Sequence, residues 1–557
     1  MKAIKIAILK LVFLLIVLIG TIAAYFVFTY EKTEDPAESI STATIPVITM
    51  KYREQNINVL NGYTNEMQGK YMRQALTPYG EDGTITLDIE RYANVIAAIS
   101  YQVRSVDTER LIDSEEIKEW TTDGEDIYVT LNMSNIMKED TEYLLIINLV
   151  TETHGNVYYY VHLKNPSGQD IEKQLEFVYD FSRLTISKEV TEKYGAYLEY
   201  DPSTDSSNLA NVNIKSSYDN IQWGDLKVTR ATDPVVTIKE ILGNIGCYEL
   251  QYKVKAQDEY GTEEYYNVTE YFRLRTVSSG MYLDVYERKA NQIFNPNTQS
   301  VSSTRINLGL DDDLKIHYKT SPTGSYVSFV KEGSLFMLDM EENKVTELFS
   351  FEKLTEEDVR IENKKFDIEI LSTDTKGNTM FMVYGYMAKG AHEGQVGVAL
   401  YQYDYKENQV TELIFVPSDR PFDIFRDSVG KFAYMTEENL LYFMVGNSIY
   451  TVTMDSNEYM QLVTGLTKGN YVINEYNNIL AWHENASVYD ADTIRVIDVD
   501  AKKDYTIQAP EGDRIKVIGF IGNDLVYGTA HTSDIYQNAS GQTVFPMYKV
   551  NVMVYGD

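Results

Sequence analysis

Residues 336–349 read FMLDMEENKVTELF, and this stretch decides the fold expected for the second half of the chain. It is an apolar strand that ends at Asp339, followed by a polar turn and a second strand. The unit recurs at intervals of roughly 45 to 65 residues, which points to a repeat architecture. The other copies are MYLDVYERKANQIF at Asp284, LYQYDYKENQVTELIF at Asp404, IYTVTMDSNEYMQLV at Thr453, IRVIDVDAKKDYTIQ at Asp498 and MYKVNVMVYGD at Asn551.

The intervals leave room for four short strands per unit, which is the size of a β-propeller blade. We therefore predict a β-propeller over residues 279–557. Its last copy stops inside the turn at Gly556-Asp557, so either a strand from elsewhere closes the ring or the chain is a fragment of a longer one. The repeated Asp is expected to accept N–H groups of the turn through its carboxylate and so tighten the hairpin. Metal ligation by these carboxylates is the alternative.

The repeat resembles the hairpins of bacterial extracytoplasmic β-propellers, whose blades end in a Y-x-x-D turn followed by a second strand. The chain is also similar to membrane-anchored, Tyr-rich surface proteins of Gram-positive, clostridium-like bacteria. The resemblance covers about residues 279–557. It implies an architecture and a binding or scaffold role, and it transfers neither a reaction nor a functional residue to this chain.

The first half of the chain is also rich in strand-like runs. Alternation is clear at Ile85, Leu87 and Ile89, and a turn signal at residues 152–156 predicts a hairpin. About seven such runs between residues 44 and 165 predict an immunoglobulin- or fibronectin III-like sandwich. The runs are 45–50, 57–60, 85–89, 95–106, 127–133, 143–153 and 157–163.

Residues 166–278 predict a second β-rich module. The stretch 175–194 has mixed periodicity and is interpreted as a strand that leads into a short helix, stopped at Gly195. Two strands, 248–256 and 264–275, follow with a turn between them. An α+β domain and another sandwich both fit this pattern.

The N-terminus carries a candidate membrane anchor. Residues 11–28, LVFLLIVLIGTIAAYFVF, hold no charge and, at about 1.5 Å of rise per residue, are long enough to cross most of a bilayer core. Residues 1–10 contain three lysines and the linker 29–43 is acidic, so the N-terminus is expected in the cytoplasm and the rest outside. A cleaved signal peptide is the alternative, but cutting after Ala23 would leave an apolar tail. The sole Cys, Cys247, lies too far along the chain for lipidation.

Composition narrows the choice of partners. The formal net charge of −33 makes nucleic acid and anionic lipid headgroups unfavourable ligands. A single Cys excludes an intrachain disulfide, and Cys247 is expected to be a small buried hydrophobe. Cations and basic proteins remain compatible with the acidic surface.

The sequence motifs predict no residue that is catalytic, that binds a cofactor or that ligates a metal. Ser328 and Lys331 fit S-x-x-K, but they lie in a strand-like run, where positions three apart face opposite sides. The acidic runs at 311–313 and 498–504 lack the glycine and terminal Glu of an EF-hand loop and are interpreted as solvated turns. The histidines do not lie at ligand spacing on one helix, and aromatics such as Tyr158-Tyr159-Tyr160 and Trp482 are expected to pack between strands.

The sequence therefore predicts a mainly β, single-span cell-membrane protein with its bulk outside the membrane. The favoured function is non-catalytic binding, sensing or scaffolding at the cell envelope, with a protein or cell-wall glycan as partner. One alternative is an envelope glycan or peptide hydrolase that gathers carboxylates at the propeller channel. A second is regulation of a membrane kinase or envelope machine through residues 11–28.

Overall fold

A computed structural model describes residue 36 and residues 40–555, apart from 80–82, 134–137, 168–169, 206, 259–260, 298–300, 303–304, 314, 353–364, 427–428, 430–431, 437, 439 and 454–457. The predicted tail 1–10, span 11–28 and most of linker 29–43 lie outside the described residues. Within the described part of the chain, no helix is both long and apolar enough to cross a membrane. Of the residues that the structure describes, 53% lie in strands and 8% in helices, so this part of the protein is mainly β.

The described residues of the first part of the chain form ten strands. They are β1 Val47–Tyr52, β2 Gln55–Leu60, β3 Leu76–Pro78, β4 Thr84–Glu90, β5 Ile96–Ser105, β6 Leu111–Ile117, β7 Thr121–Asp123, β8 Asp126–Asn132, β9 Glu142–Thr151 and β10 Gly155–Lys164. Strands β9 and β10 form the hairpin that the turn signal at 152–156 predicted. One sheet has the order β3-β10-β9-β5-β6, and the remaining strands belong to a larger one.

The middle of the chain adds three helices and eight strands. They are α1 Ile171–Ser187, α2 Val190–Tyr194, β11 Asn211–Asn213, α3 Tyr218–Ile221, β12 Thr229–Arg230, β13 Val235–Leu242, β14 Ile245–Gln257, β15 Glu263–Val277, β16 Gly280–Gln292, β17 Val301–Ser302 and β18 Arg305–Ile306. Strands β13 to β16 continue the larger sheet of the first part. This central sheet has the order β11-β16-β15-β14-β13-β2-β1-β4-β8-β7, with β12 paired to β14.

The two parts meet where β13 runs parallel to β2. Asn58, fully buried in β2, strengthens this junction. Its Nδ2 donates to the Leu76 carbonyl and to Thr77 Oγ1, each at 2.9 Å, and its Oδ1 accepts from the Ile238 N–H at 2.8 Å. The sandwich-like first part and the second module therefore share one sheet and one continuous buried core.

Helix α1 corrects the interpretation of residues 175–194 as a strand leading into a helix. The 17-residue helix begins at the N-cap Asp170, whose carboxylate accepts from the Lys173 N–H. Leu175, Val178 and Phe181 are buried, at the three-to-four-residue spacing of a helix face. The aromatic and β-branched residues favoured a strand, but burial of this face against β14 and β15 overrides that propensity. The second module is accordingly α+β.

The last part of the chain forms five antiparallel sheets in succession, numbered here as repeat sheets 1 to 5. Sheet 1 comprises β19 His317–Thr320, β20 Tyr326–Lys331, β21 Ser334–Asp339 and β22 Lys344–Phe349, and sheet 2 comprises β23 Phe366–Thr373, β24 Thr379–Tyr386, β25 Val396–Asp404 and β26 Gln409–Ser418. Sheet 3 comprises β27 Ala433–Met435, β28 Leu440–Val445, β29 Ser448–Thr453 and β30 Glu458–Val463, and sheet 4 comprises β31 Tyr471–Ile473, β32 Ile479–His483, β33 Thr493–Asp498 and β34 Lys503–Gln508. Sheet 5 comprises β35 Asp513–Ile521, β36 Asp524–His531 and β39 Lys549–Met553. A short helix, α4 Phe422–Phe425, follows sheet 2. Between β36 and β39 the chain forms a separate two-stranded sheet of β37 Tyr536–Gln537 and β38 Thr543–Val544.

The repeated Asp has the structural task expected of it. Asp339 Oδ1 accepts from the N–H groups of Glu341 and Glu342 at 2.8 and 3.0 Å. Asp498 Oδ1 accepts from the N–H groups of Asp500 and Ala501 at 3.1 and 2.8 Å. Each therefore closes its hairpin through turn contacts.

The copy at Asp284 is not a hairpin, and that part of the repeat prediction is wrong. Residues 280–292 form the single strand β16 of the central sheet. At the hairpins of Asp339, Asp404 and Asp498, the residue four positions after the Asp lies in the left-handed region; these residues are Asn343, Asn408 and Lys502. Arg288 stands at that position in the Asp284 copy and is buried in an extended strand.

Candidate functional site

The central sheet presents two different faces along β14, β15 and β16. Because successive side chains of a strand point to opposite faces, alternate residues of these strands lie together. One face is buried beneath α1 and carries Leu250 and Phe272. The other face is polar across all three strands.

The polar face is organised in two cross-strand rows. In the first row, Gln251 is paired with Thr269, and Thr269 with Lys289. In the second row, Lys253 is paired with Asn267, and Asn267 with Asn291. Six hydrogen-bonding side chains therefore share one surface.

Repeat sheets 1 and 2 cover this surface and enclose a cleft of about 470 Å³. The opposing wall consists of the β20–β21 turn, with Glu332 and Gly333, and of residues 365–367 at the start of β23. Asn267 Nδ2 reaches across and donates to Glu332 Oε2 at 2.9 Å. The cleft thus lies between two parts of the chain, a common position for ligand sites.

Carboxylates hold the lysines of the cleft in place. Lys253 and Glu352 form a nearly buried ion pair of 2.7 Å that links the central sheet to the end of sheet 1. Lys289 is paired with Asp312 at 2.6 Å. The ammonium groups therefore have defined positions.

Asp312 also fixes the second row of the cleft. Its N–H donates to Asn291 Oδ1 at 2.7 Å, and Asn291 Nδ2 donates back to Asp312 Oδ1 at 2.8 Å. Burial alone raises the pKa of Asp312, but hydrogen bonds from Lys289 and Asn291 outweigh it and lower that pKa. The hydrogen bond to Asp312 raises the pKa of Lys289. Both groups remain charged at neutral pH.

The three consecutive Asp residues that raised the question of calcium binding diverge. Asp312 contacts Lys289 and Asn291, whereas Asp311 forms an ion pair with Lys331. Asp313 accepts from the Lys315 N–H at 2.9 Å. In the described part of the chain, no group of three or more His, Cys, Asp or Glu residues could hold a metal ion.

Ser328 and Lys331, which fit S-x-x-K, also have separate partners. Both residues lie in β20, where Ser328 contacts Thr373 and Thr379 hydroxyls at 2.9 Å, while Lys331 is paired with Asp311. A nucleophile and its base are therefore not brought together here.

The other residues singled out from the sequence lie apart from the cleft. Asp504, in the second acidic run, pairs with Arg495 at 2.7 Å. Tyr159 and Tyr160 are buried in the core, and Trp482 is nearly so. Cys247 is half-buried rather than buried, because it faces the polar side of β14.

Sequence reasoning missed the cleft itself. The alternation of polar and apolar residues in QYKVKAQ, residues 251–257, indicates that one side of β14 is hydrophilic. The cross-strand register that aligns the two rows, and the docking of repeat sheets 1 and 2 over them, are not encoded in a local pattern.

Comparisons with known proteins give only distant likenesses. No protein-family model matches the chain, and no curated protein matches it. Among solved structures, dipeptidyl peptidase 4 of Porphyromonas gingivalis is 11% identical with a TM-score of 0.25, over 55% of this chain and 45% of that one. The chain thus spans less than half of that peptidase.

Two further structures show the same level of similarity. An acylaminoacyl peptidase of Pyrococcus horikoshii is 11% identical with a TM-score of 0.20, over 57% of this chain and 46% of that one. A mutant apocarotenoid oxygenase of Synechocystis is 8% identical with a TM-score of 0.21, over 89% of both chains. Likeness at this level carries no argument about activity.

Proposed function

We propose that this protein is a membrane-anchored, extracytoplasmic binding, sensing or scaffold protein of the cell envelope. Residues 11–28 are the proposed span, with the N-terminus in the cytoplasm. Repeat sheets 1 to 5 are the proposed blades of a β-propeller, and the two sheets of residues 44–165 a sandwich. Support comes from the apolar run, from the charge asymmetry around it and from the succession of four-stranded sheets.

The polar cleft is the observation that carries a binding role. Its two rows offer amide, hydroxyl and ammonium groups on a rigid sheet, so that a ligand meets fixed donors and acceptors. Such a surface suits a hydroxyl-rich polymer, and a cell-wall glycan is the ligand we propose. Glycoside hydrolysis uses a pair of carboxyl groups, and Glu249, Glu332 and Asp367 also line the cleft, so the experiment below includes an outcome for the hydrolase alternative.

The test is co-sedimentation of the purified full-length protein, in detergent, with isolated Gram-positive cell walls. Thr269 stands in the middle of the first row, so Thr269→Trp should block the cleft. We expect the variant to bind about tenfold more weakly than the wild type. Thr506→Trp introduces the same side chain on exposed strand β34, and its binding should equal that of the wild type.

Two results would remove this proposal. One is a wild-type protein that stays in solution in the presence of walls. The other is a Thr269→Trp variant that binds as well as Thr506→Trp. Release of soluble fragments from the walls by the wild type would instead indicate the hydrolase alternative.

A further inference from the structure

Repeat sheets 1 to 5 pack against one another in sequence order. Residues of sheets 1, 2 and 3 share one buried cluster, sheets 3 and 4 share a second, and sheets 4 and 5 share a third. At the last contact, Ile515, Val517 and Leu525 of sheet 5 are buried in one cluster with Ile479 and Val496 of sheet 4. One face of sheet 5 is therefore occupied by the preceding sheet.

The opposite face of sheet 5 is apolar and exposed. Val550 and Val552, two positions apart on β39, lie on this face and are 57% and 52% exposed. Val552 is paired with Val526 of β36, and Val526 with Gly519 of β35, so the three form one cross-strand row. A Cβ at Gly519 would meet no described atom within 4 Å beyond its chain neighbours. Ile521 at the end of β35 adds a side chain that is 65% exposed.

Sheet 1, at the other end of the series, cannot cover this face. Its outer face holds Phe329 and Phe336, which pack against Phe294 with ring centres 5.5 and 5.0 Å apart. Ile306 and Leu308, from the segment before sheet 1, pack against the same cluster. Since sheet 2 covers the other face, the described residues of sheet 1 leave no apolar face for sheet 5, in the same molecule or head to tail in another.

A second copy of sheet 5 matches the exposed face. Lys516, paired with Gly528, lies at one end of the face, and Asp524 lies at the other. A two-fold axis that crosses the strands at the row of Val526 and Val552 places the Lys516 end of one copy over the Asp524 end of the other. Like charges are then not opposed, and Val552 meets its own counterpart near the axis.

We propose that this protein forms a two-fold homodimer in which the exposed faces of two copies of sheet 5 pack together. The contact continues the series of sheet-on-sheet interfaces by one step, with about 10 Å between the two sheets. Because both copies use the same face, the assembly closes at two chains. This interface is separate from the polar cleft, and neither depends on the other.

Disulfide trapping of the full-length protein tests the dimer. Cys247→Ser removes the native thiol, and Val552→Cys in that background places one thiol near the proposed axis. Oxidation in disrupted cells, before any detergent reaches the apolar face, should convert most chains to a covalent dimer on a non-reducing gel. Val95→Cys in the same background, at a valine of the first part that is 53% exposed, should remain monomeric.

A charged variant shows whether the trapped contact is the proposed one. Val550→Asp, added to Val552→Cys, would bury a carboxylate against the apolar face of the second copy, so trapping should fall at least about tenfold. Val95→Asp is the matched control and should leave trapping unchanged, since both valines are exposed and neither change disturbs a core. Absence of trapping at Val552→Cys overturns the proposal. Trapping that persists with Val550→Asp, or a product whose mass shows a different protein, overturns it as well.

Discussion

At the scale of single residues, Arg288 carries a charge and is nevertheless fully buried in β16. Its guanidinium stacks on Trp223 at 3.8 Å and donates to the carbonyl oxygens of Ile221 and Asn220, each at 2.9 Å. Glu270, also fully buried, is its cross-strand neighbour. Tyr286 and Tyr252 hydroxyls donate to this carboxylate at 2.8 and 3.0 Å. The core therefore contains two buried, oppositely charged side chains on paired strands.

Removal of Arg288 should destabilise the whole protein strongly. Arg288→Met removes the cation on the strand paired with buried Glu270, together with two hydrogen bonds to carbonyl groups, and we expect a loss of about 3–5 kcal/mol in the free energy of unfolding. Urea denaturation measures this loss. Arg183→Met, at an exposed position on α1, should change stability by less than about 1 kcal/mol. Equal stability of the two variants would show that the buried guanidinium of Arg288 does not stabilise this core.

At the scale of elements, His483 joins repeat sheet 4 to sheet 5. Its Nδ1–H donates to the Ser487 carbonyl at 2.5 Å, and its Nε2 accepts from the Val517 N–H at 3.0 Å. Burial lowers the pKa of His483 below its ordinary value, the Ser487 carbonyl opposes the shift, and the Lys516 ammonium adds to it. The imidazole must therefore stay neutral to accept the hydrogen bond from sheet 5.

The junction between sheets 4 and 5 should weaken in mild acid. The unfolded chain takes up a proton at His483 near pH 6.5, whereas the folded chain does so only at lower pH. Stability from this residue is thus complete above about pH 6.5 and is lost as pH falls through the folded pKa. Thermal unfolding between pH 7.5 and 5 should show a steeper decline for the wild type than for His483→Gln. Parallel declines would assign the pH dependence to other groups.

Local sequence patterns predicted individual strands and hairpins better than they predicted which distant strands pair with each other. The hairpins at Asp339 and Asp498 are confirmed, because a strand, a carboxylate and a turn lie within a few residues of each other. The same pattern was wrong at Asp284, where residues 280–292 pair along their whole length with β15 and form a single strand. Helix α1 was read in part as a strand, since its packing against β14 and β15 is a tertiary effect. The polar cleft is not visible without the register of strands distant in sequence.

At the scale of the whole molecule, the junction between β2 and β13 unites the first two parts of the chain. Asn58 supplies three hydrogen bonds there, one of them to a residue 180 positions away. A backbone pairing of only one residue pair, Ile57 with Val236, accompanies it. The Asn58 side chain therefore supplies hydrogen bonds at a junction where the two strands share only one backbone residue pair.

Substitution of Asn58 should loosen both sides of this junction together. Asn58→Ala leaves the Ile238 N–H and the Leu76 carbonyl without their buried partner, and the expected loss is about 2 kcal/mol or more. Hydrogen exchange of the Ile238 amide should become much faster. Asn56→Ala, at an exposed position of the same strand, should leave that amide protected. Unchanged protection in Asn58→Ala would mean that the sheet is continuous without this side chain.

The position of β13, the partner of β2, far along the sequence also sets the order in which the central sheet can form. A ribosome makes the chain from its N-terminus, so β1 and β2 emerge long before β13 to β16 have been synthesised. Until then, the strand edge of β2 and the apolar side chains beneath it have no native cover. Contacts between such remote segments form slowly. The central sheet can therefore close around β2 only after residues 235–242, which form β13, have been synthesised.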